Sequence, residues 1–361
     1  FLDQVRLLVL DHPAGVELYT GEKFKGPPYT DLRLYGVRRA RRPVAARDHR
    51  GAEVTAAVAA RDGAWPEGFA RDFAGRAELH HLEIDFGPGP GDDDLLVLHG
   101  WVDWADGSTF LATSQGGSGD ELVMPRLEVL DEAGRWVTVD EDMGLPAGKP
   151  KTIVVEMGGR WRSAHRRVRI VTSLCVYWDE AFLAADEGPP PLRRALLAPA
   201  TAELRFRGFS GLHQHPRRTR PEWFEYGEVR PASMWNPTPG LYTRYGEVGE
   251  LLAAADDRFV VFGSGDELAL AFDPAGLAPP PAGWRRDFLL YVGGWAKDGD
   301  ANTAHSQTVG PLPYHGMPGY PYDPPHAYPD GPEHRRYLEQ YQTRPALRLL
   351  RPLRPAAGER R

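Results

Sequence analysis

From residue 168 to residue 178 the even positions Val168, Ile170, Thr172, Leu174, Val176 and Trp178 form one continuous set, and the only charge between them is Arg169. A period of two gathers such a set onto one side only in an extended strand, because strand side chains alternate whereas helical ones recur every ~3.6 residues. A core strand is therefore expected here, and a fold without a sheet is excluded. The same alternation returns along the chain. Runs at 125–130 and 135–139, joined through Gly134, read as a hairpin whose connection has the glycine such loops need. Runs at 259–262 and 266–272 around Gly263 and Gly265 repeat that logic, with Leu268, Leu270 and Phe272 inward.

Further strands are expected at 5–10, 32–37, 81–86, 95–102, 152–157, 203–209 and 287–293, against only two short helical patterns, 247–256 and 333–341. Strands at this spacing, punctuated by 40 Gly and 34 Pro, predict an all-β chain: antiparallel β-sandwich, jelly-roll-like modules with few short helices and a Pro-rich C-terminal extension. The 361 residues exceed the ~250–300 at which one core divides. Proline crowding at 187–192 breaks the pattern. The expected partition is a first β-sandwich module at 1–190 and a second β module at 191–312. A Pro- and aromatic-rich loop, a short helix and a basic tail follow at 313–361.

Net charge is −7, and only five of the 43 basic residues are lysine. An acidic balance argues against nucleic acid as a partner, which calls for a basic surface. The local exceptions are 38–42, 217–220 and the tail. No apolar run approaches the ~18–20 residues of a membrane span, so no transmembrane segment is expected and any membrane association is peripheral. Phe1 opens directly onto a strand pattern, as expected of a chain that begins inside a longer gene product. Cys175, the one cysteine, cannot form an internal disulfide and does not report the compartment.

Motifs for chemistry are sparse. The string at 116–120 around Ser118 lacks the final glycine of a nucleophile elbow. Cys175 sits mid-strand, where a structural thiol is expected. The glycine-rich 87–94 stretch lacks lysine and carries three carboxylates, unlike a phosphate loop. His213 and His215 place two imidazoles two residues apart, with His12, His80, His81 and His99 as further donors for a metal. The neighbourhood is arginine-rich, which favours a surface loop. Asp298, Asp300 and Asn302 alternate oxygen ligands like the start of a calcium loop, the one cofactor expectation. Thr303 and Val309 then depart from that pattern. Paired carboxylates occur at 140–142 and at Asp103 and Asp106, and Trp101, Trp104, Trp295, Tyr314, Tyr320 and Tyr322 compose a candidate sugar-stacking platform.

Several strings in combination, 5–13, 100–106, 136–152, 242–246, 286–291 and 315–322, resemble the C-terminal region of bacterial FG-GAP/ASPIC-UnbV proteins, the cartilage-acidic-protein-like group. The similarity runs from about residue 1 to residue 343. It implies an exported, extracytoplasmic, periplasmic protein whose family carries a propeller upstream, and it carries no functional residue over to this chain.

The functional expectation is thus a non-catalytic, periplasmic accessory or scaffolding subunit that docks on protein partners in a larger, membrane-associated assembly, such as an electron-transfer or photosynthetic complex. Tyr314, Tyr320 and Tyr322, with Arg344, Arg348, Arg351 and Arg354 of the Pro-Arg tail, are the expected partner contacts. A carbohydrate-binding β-sandwich and a calcium-assisted hydrolase are the alternatives.

Overall fold

A computed structural model of the chain describes residues 1–26, 31–72, 74–89, 94–116, 122–233, 237–300, 302–303 and 305–346. The first half supplies β1 (Leu2–Pro13), β2 (Glu17–Thr20), β3 (Leu34–Val37), β4 (Ala45–Asp48), β5 (Arg76–Pro88), β6 (Asp94–Asp103), β7 (Arg126–Leu130), β8 (Trp136–Asp140), β9 (Lys151–Glu156) and β10 (His165–Ala185). The second supplies β11 (Arg193–Leu197), β12 (Thr201–Phe206), β13 (Phe209–His213), β14 (Trp223–Arg230), β15 (Gly240–Tyr242), β16 (Gly246–Glu247), β17 (Asp266–Ala271), β18 (Trp284–Gly294) and β19 (Arg344–Ala346). Two α-helices accompany them among the described residues, α1 (Gly107–Gln115) and α2 (Pro332–Gln340). The protein is mainly β, and its ladders are antiparallel.

β10 organises the first half. Its residues up to Leu174 pair with β5, and Val168 to Val171 also pair with β7 on the other side. From Cys175 onward its partner is β6, which carries β9. One strand of 21 residues therefore passes from one sheet into a second, which is how sandwich-like folds turn a corner. The even positions up to Trp178 face the core, apart from Thr172, whose hydroxyl donates to Val123 O. A register shift between Trp178 and Glu180 then moves the inward set to Ala181 and Leu183, as one extra residue must when side chains alternate. The opposite face is covered too: Cys175 and Tyr177 pack with Trp101 and Ala77, and Phe182 and Ala184 with Tyr35 and Val97. The 125–139 hairpin is present as β7 and β8, with Leu130 opposite Trp136.

Burial also reaches two imidazoles. His80 on β5 stacks on Phe69 at 4.2 Å, and His99 on β6 lies 3.3 Å from Thr152 Oγ1. Desolvation lowers both pKa values from 6.5 to about 4. With the folded value below the unfolded one, the unfolded chain binds the extra protons, so stability is intact above about pH 6.5 and declines as the pH falls towards 4. The urea midpoint is expected to drop between pH 7 and pH 5, and less steeply in a chain carrying His80→Gln and His99→Gln. Equal slopes for the two chains would refute the assignment.

The second half differs from its expected outline in three ways. β1 lies between β11 and β18, with Val9 opposite both Ala195 and Phe288. Val5 packs with Leu204, Leu252, Val260, Tyr337 and Tyr341. Residues 2–13 and α2 thus fold with the strands of 193–294, across the partition expected at 190 and 313; α2 and the Gly249–Leu252 turn give β1 the apolar cover it needs. The 259–272 hairpin does not form. Its turn exists, with Asp266 N donating to Gly263 O at 3.0 Å, but β17 pairs with β12 while Val260 bridges to Leu2. Leu268, Leu270 and Phe272 do pack inward. The helix expected at 247–256 shrinks to the 3-10 turn Gly249–Leu252, because β16 pairs with β12 and Val248 N donates to Ala202 O.

Candidate docking surface

β18 is the outer strand of a three-stranded sheet ordered β11-β1-β18. It pairs with β1 along its whole length, from Trp284 opposite Pro13 to Gly294 opposite Leu2, and its other edge has no strand among the described residues. The charged residues at its start are all engaged by residues of β1 and β2. Arg286 grips Asp11 at 2.7 and 3.0 Å, Arg285 grips Glu17 at 3.0 and 2.7 Å, and Asp287 meets His12 Nε2 at 2.9 Å. The Arg286 guanidinium holds the Asp11 carboxyl below its ordinary value. Beyond them the strand is apolar and uncovered: Phe288, Leu290, Tyr291 and Val292 are exposed, Phe288 by 61%. Natural sheets blunt an open edge with lysine, proline or charge. Between Phe288 and Gly294 there is none.

The expected partner contacts lie elsewhere. Tyr314 is buried edge-on to Tyr322 at 5.0 Å, and the Tyr320 and Tyr322 hydroxyls donate to Pro311 O and Leu312 O at 2.5 and 3.0 Å. Lys297 lies 4.7 Å above the Tyr320 ring, and burial lowers its pKa to about 8. These tyrosines fold the Pro-rich segment onto itself, and Lys297 ties Tyr320 to the chain just after β18. Arg344 is likewise internal: its guanidinium covers the Tyr245 ring at 4.2 Å and donates to Asp266 Oδ2 at 2.7 Å and Thr243 O at 3.0 Å. Arg348, Arg351 and Arg354 lie outside the described residues.

The other expected sites are also taken up by the fold. Asp298 Oδ1 accepts from Asp300 N, and Asp300 accepts from Ser108 N and Asn302 N, so the two aspartates brace a turn against the start of α1, with Asn302 as a donor. Among the described residues His213 and His215 join no group of ligand atoms that could hold a metal. His213 pairs with Glu228 at 2.7 Å and stacks on Trp223, while His215 lies 3.3 Å from Thr219 Oγ1. Trp101 is buried against Tyr177 at 4.4 Å and lines a cavity of about 260 Å³ together with Trp104, whereas Trp295 lines a separate one of about 410 Å³. No single aromatic platform results among the described residues. Asp140 is paired with Arg160 and Asp106 caps α1 through Thr109 N. Burial pushes the Cys175 thiol up to about 12, which leaves it inert at neutral pH. Ser118 lies outside the described residues.

In the sequence, 287–293 is one strand pattern among several. Its edge position follows from pairing with β1, about 280 residues away, which no local pattern encodes. The absence of charge after Asp287 is the one local signal. No protein-family profile, no curated protein and no solved structure matches this chain. No helix among the described residues is long and apolar enough to cross a membrane.

Proposed function

We propose that this chain is a non-catalytic, extracytoplasmic accessory subunit that docks on a larger membrane-associated assembly through the open edge of β18. The observation that carries the reading is the uncovered apolar run from Phe288 to Val292 on an edge strand. Such an edge offers main-chain N–H and C=O groups for affinity and alternate side-chain positions for specificity, the two elements of strand addition. The occupant is an extended segment of a partner subunit with apolar residues at every second position. Export rests on the likeness of the 5–13, 100–106 and 315–322 strings to the FG-GAP/ASPIC-UnbV group; the membrane-associated setting is part of the proposal and rests on no motif.

Leu290→Lys puts a charge at the middle of the edge without disturbing the β1 ladder, since Leu290 is half exposed. The native assembly is to be isolated gently from cells carrying either chain, and the co-eluting subunits identified. The expected result is one defined set of partners that is lost with Leu290→Lys while the melting temperature is kept. A partner set that survives Leu290→Lys would overturn the edge assignment. A pure chain that dimerises through this edge in sedimentation would overturn the accessory role.

A further inference from the structure

Asp3, Asp257 and His315 are far apart in sequence, Asp257 lying 254 residues from Asp3 and 58 from His315. Folding brings one ligand atom of each within 4.8 Å of the others. Asp3, at the start of β1, is 1% exposed. Its Oδ1 accepts from Asp256 N and Asp257 N at 3.2 and 3.1 Å, which fixes the plane of the carboxylate. Its Oδ2 is buried with no hydrogen-bond partner among the described residues, and it points at His315 Nδ1, 3.5 Å away. A buried charged oxygen left in this way is costly unless a cation meets it.

The other two groups are equally well placed. Asp257 adopts φ +68°, a left-handed conformation uncommon outside glycine that sets its carboxylate beside His315. Asp257 Oδ1 accepts from His315 N at 2.8 Å and lies 2.6 Å from His315 Nδ1, while the Tyr328 hydroxyl holds the Asp257 carbonyl. The neighbouring Arg258 is engaged by Asp256. The His315 side chain is 57% exposed, so the cluster opens to solvent on one side.

We propose that Asp3 Oδ2, Asp257 Oδ1 and His315 Nδ1 bind one divalent transition-metal ion of the zinc class. Carboxylates alone would suit calcium or magnesium; the imidazole nitrogen moves the preference to zinc and its neighbours. Zinc holds nitrogen and oxygen at about 2.0–2.2 Å, which separates tetrahedral ligands by roughly 3.4 Å. The 3.5 Å between Asp3 Oδ2 and His315 Nδ1 already has that value. The 2.6 Å contact to Asp257 contains a proton where the metal enters, and widening it needs under an ångström of movement by an exposed side chain. Three protein ligands leave the open side to water. The ion ties β1, the 256–258 turn and the Pro-rich segment together, independently of the β18 edge.

The test uses the whole chain, treated with chelator and exchanged into metal-free buffer, then titrated calorimetrically with zinc, manganese or calcium chloride and melted with each. One zinc per chain and a zinc-dependent rise in melting temperature are expected. His315→Ala, at an exposed position, should keep the metal-free melting temperature. It should weaken zinc at least ~10-fold, the lower limit even for losing a supporting group of a metal site. Asp3→Asn should weaken zinc similarly, and a chain that fails to fold with it leaves His315→Ala to decide. No saturable zinc binding, equal affinity in His315→Ala, or a response to calcium alone would each overturn the proposal.

Discussion

Asp103→Ala is expected to lower the unfolding free energy by about 3–5 kcal/mol, the cost of removing one partner from a buried ion cluster. The Asp103 side chain is 6% exposed and is held by two guanidiniums. Arg218 donates through Nε at 2.9 and 3.1 Å and through its terminal nitrogen at 2.5 Å, and Arg71 reaches the same carboxylate. Without it, the Arg71 and Arg218 guanidiniums face each other with no carboxylate between them. The effect also reaches between the two halves, because Asp103 ends β6 whereas Arg218 belongs to the 214–222 connection of β13 and β14. That connection is further held by Trp65 Nε1 on Thr219 O at 3.0 Å and Arg220 on Glu67 at 2.6 Å. Urea unfolding measures the loss, and faster tryptic cleavage after Arg217 or Arg218 in native buffer reports release of the connection. A loss under about 1 kcal/mol with unchanged cleavage would leave the cluster as a surface-type pair.

Gly75→Ala comes second. Gly75 has φ +74°, and a Cβ there would stand 2.2 Å from Ala105 N and 2.4 Å from Trp104 C. Its carbonyl also accepts from Cys175 N at 3.0 Å. The left-handed conformation costs about 1–2 kcal/mol for an L-residue, and overpacking adds about 1–3 kcal/mol. A total loss of about 2–5 kcal/mol follows, since backbone cannot swing away as a side chain can. Gly63 is the internal control: it has φ +78° and no described atom within 4 Å of the added carbon. Gly63→Ala should show the conformational cost alone. Equal losses for the two in denaturant titrations would remove the steric argument at Gly75.

Period-two alternation locates the central strand at 168–178 and the 125–139 hairpin, because burial of one face is written locally in the residue order. The shift of phase after Trp178 is not legible there, since a bulge is chosen by the facing strand. The place of β1 in the second half is hidden for a related reason: Val5 and Val9 advertise a buried face but not which sheet provides it. Helix α1 escapes pattern reading because its two large apolar residues, Phe110 and Leu111, are adjacent and exposed and make no apolar stripe; Asp106, its cap, looks in isolation like any other carboxylate. The arginines at 217–220 read as a basic surface, and Arg218 and Arg220 prove to be tethers. Asp3, Asp257 and His315 have no motif to join them. Tyr314, Tyr320 and Tyr322 do form a cluster, as their spacing suggests, but the fold turns the Tyr320 and Tyr322 hydroxyls onto carbonyls instead of outward.

The pairing of β1 with β18 has a consequence for how the chain is made. Asp11 meets Arg286 across 275 residues, and at a synthesis rate of ~5–20 residues per second that interval lasts roughly 14–55 s. Until β11 emerges Val5, Val9 and Leu10 have no sheet partner, and until β18 and α2 follow the sheet and its cover stay incomplete, while β4 to β10 can already close around their own core. The nascent segment is then an unprotected sticky strand. Slow, late docking of this kind invites a holding chaperone, and pulse-labelled hydrogen exchange during refolding should find the amides of 5–10 protected last.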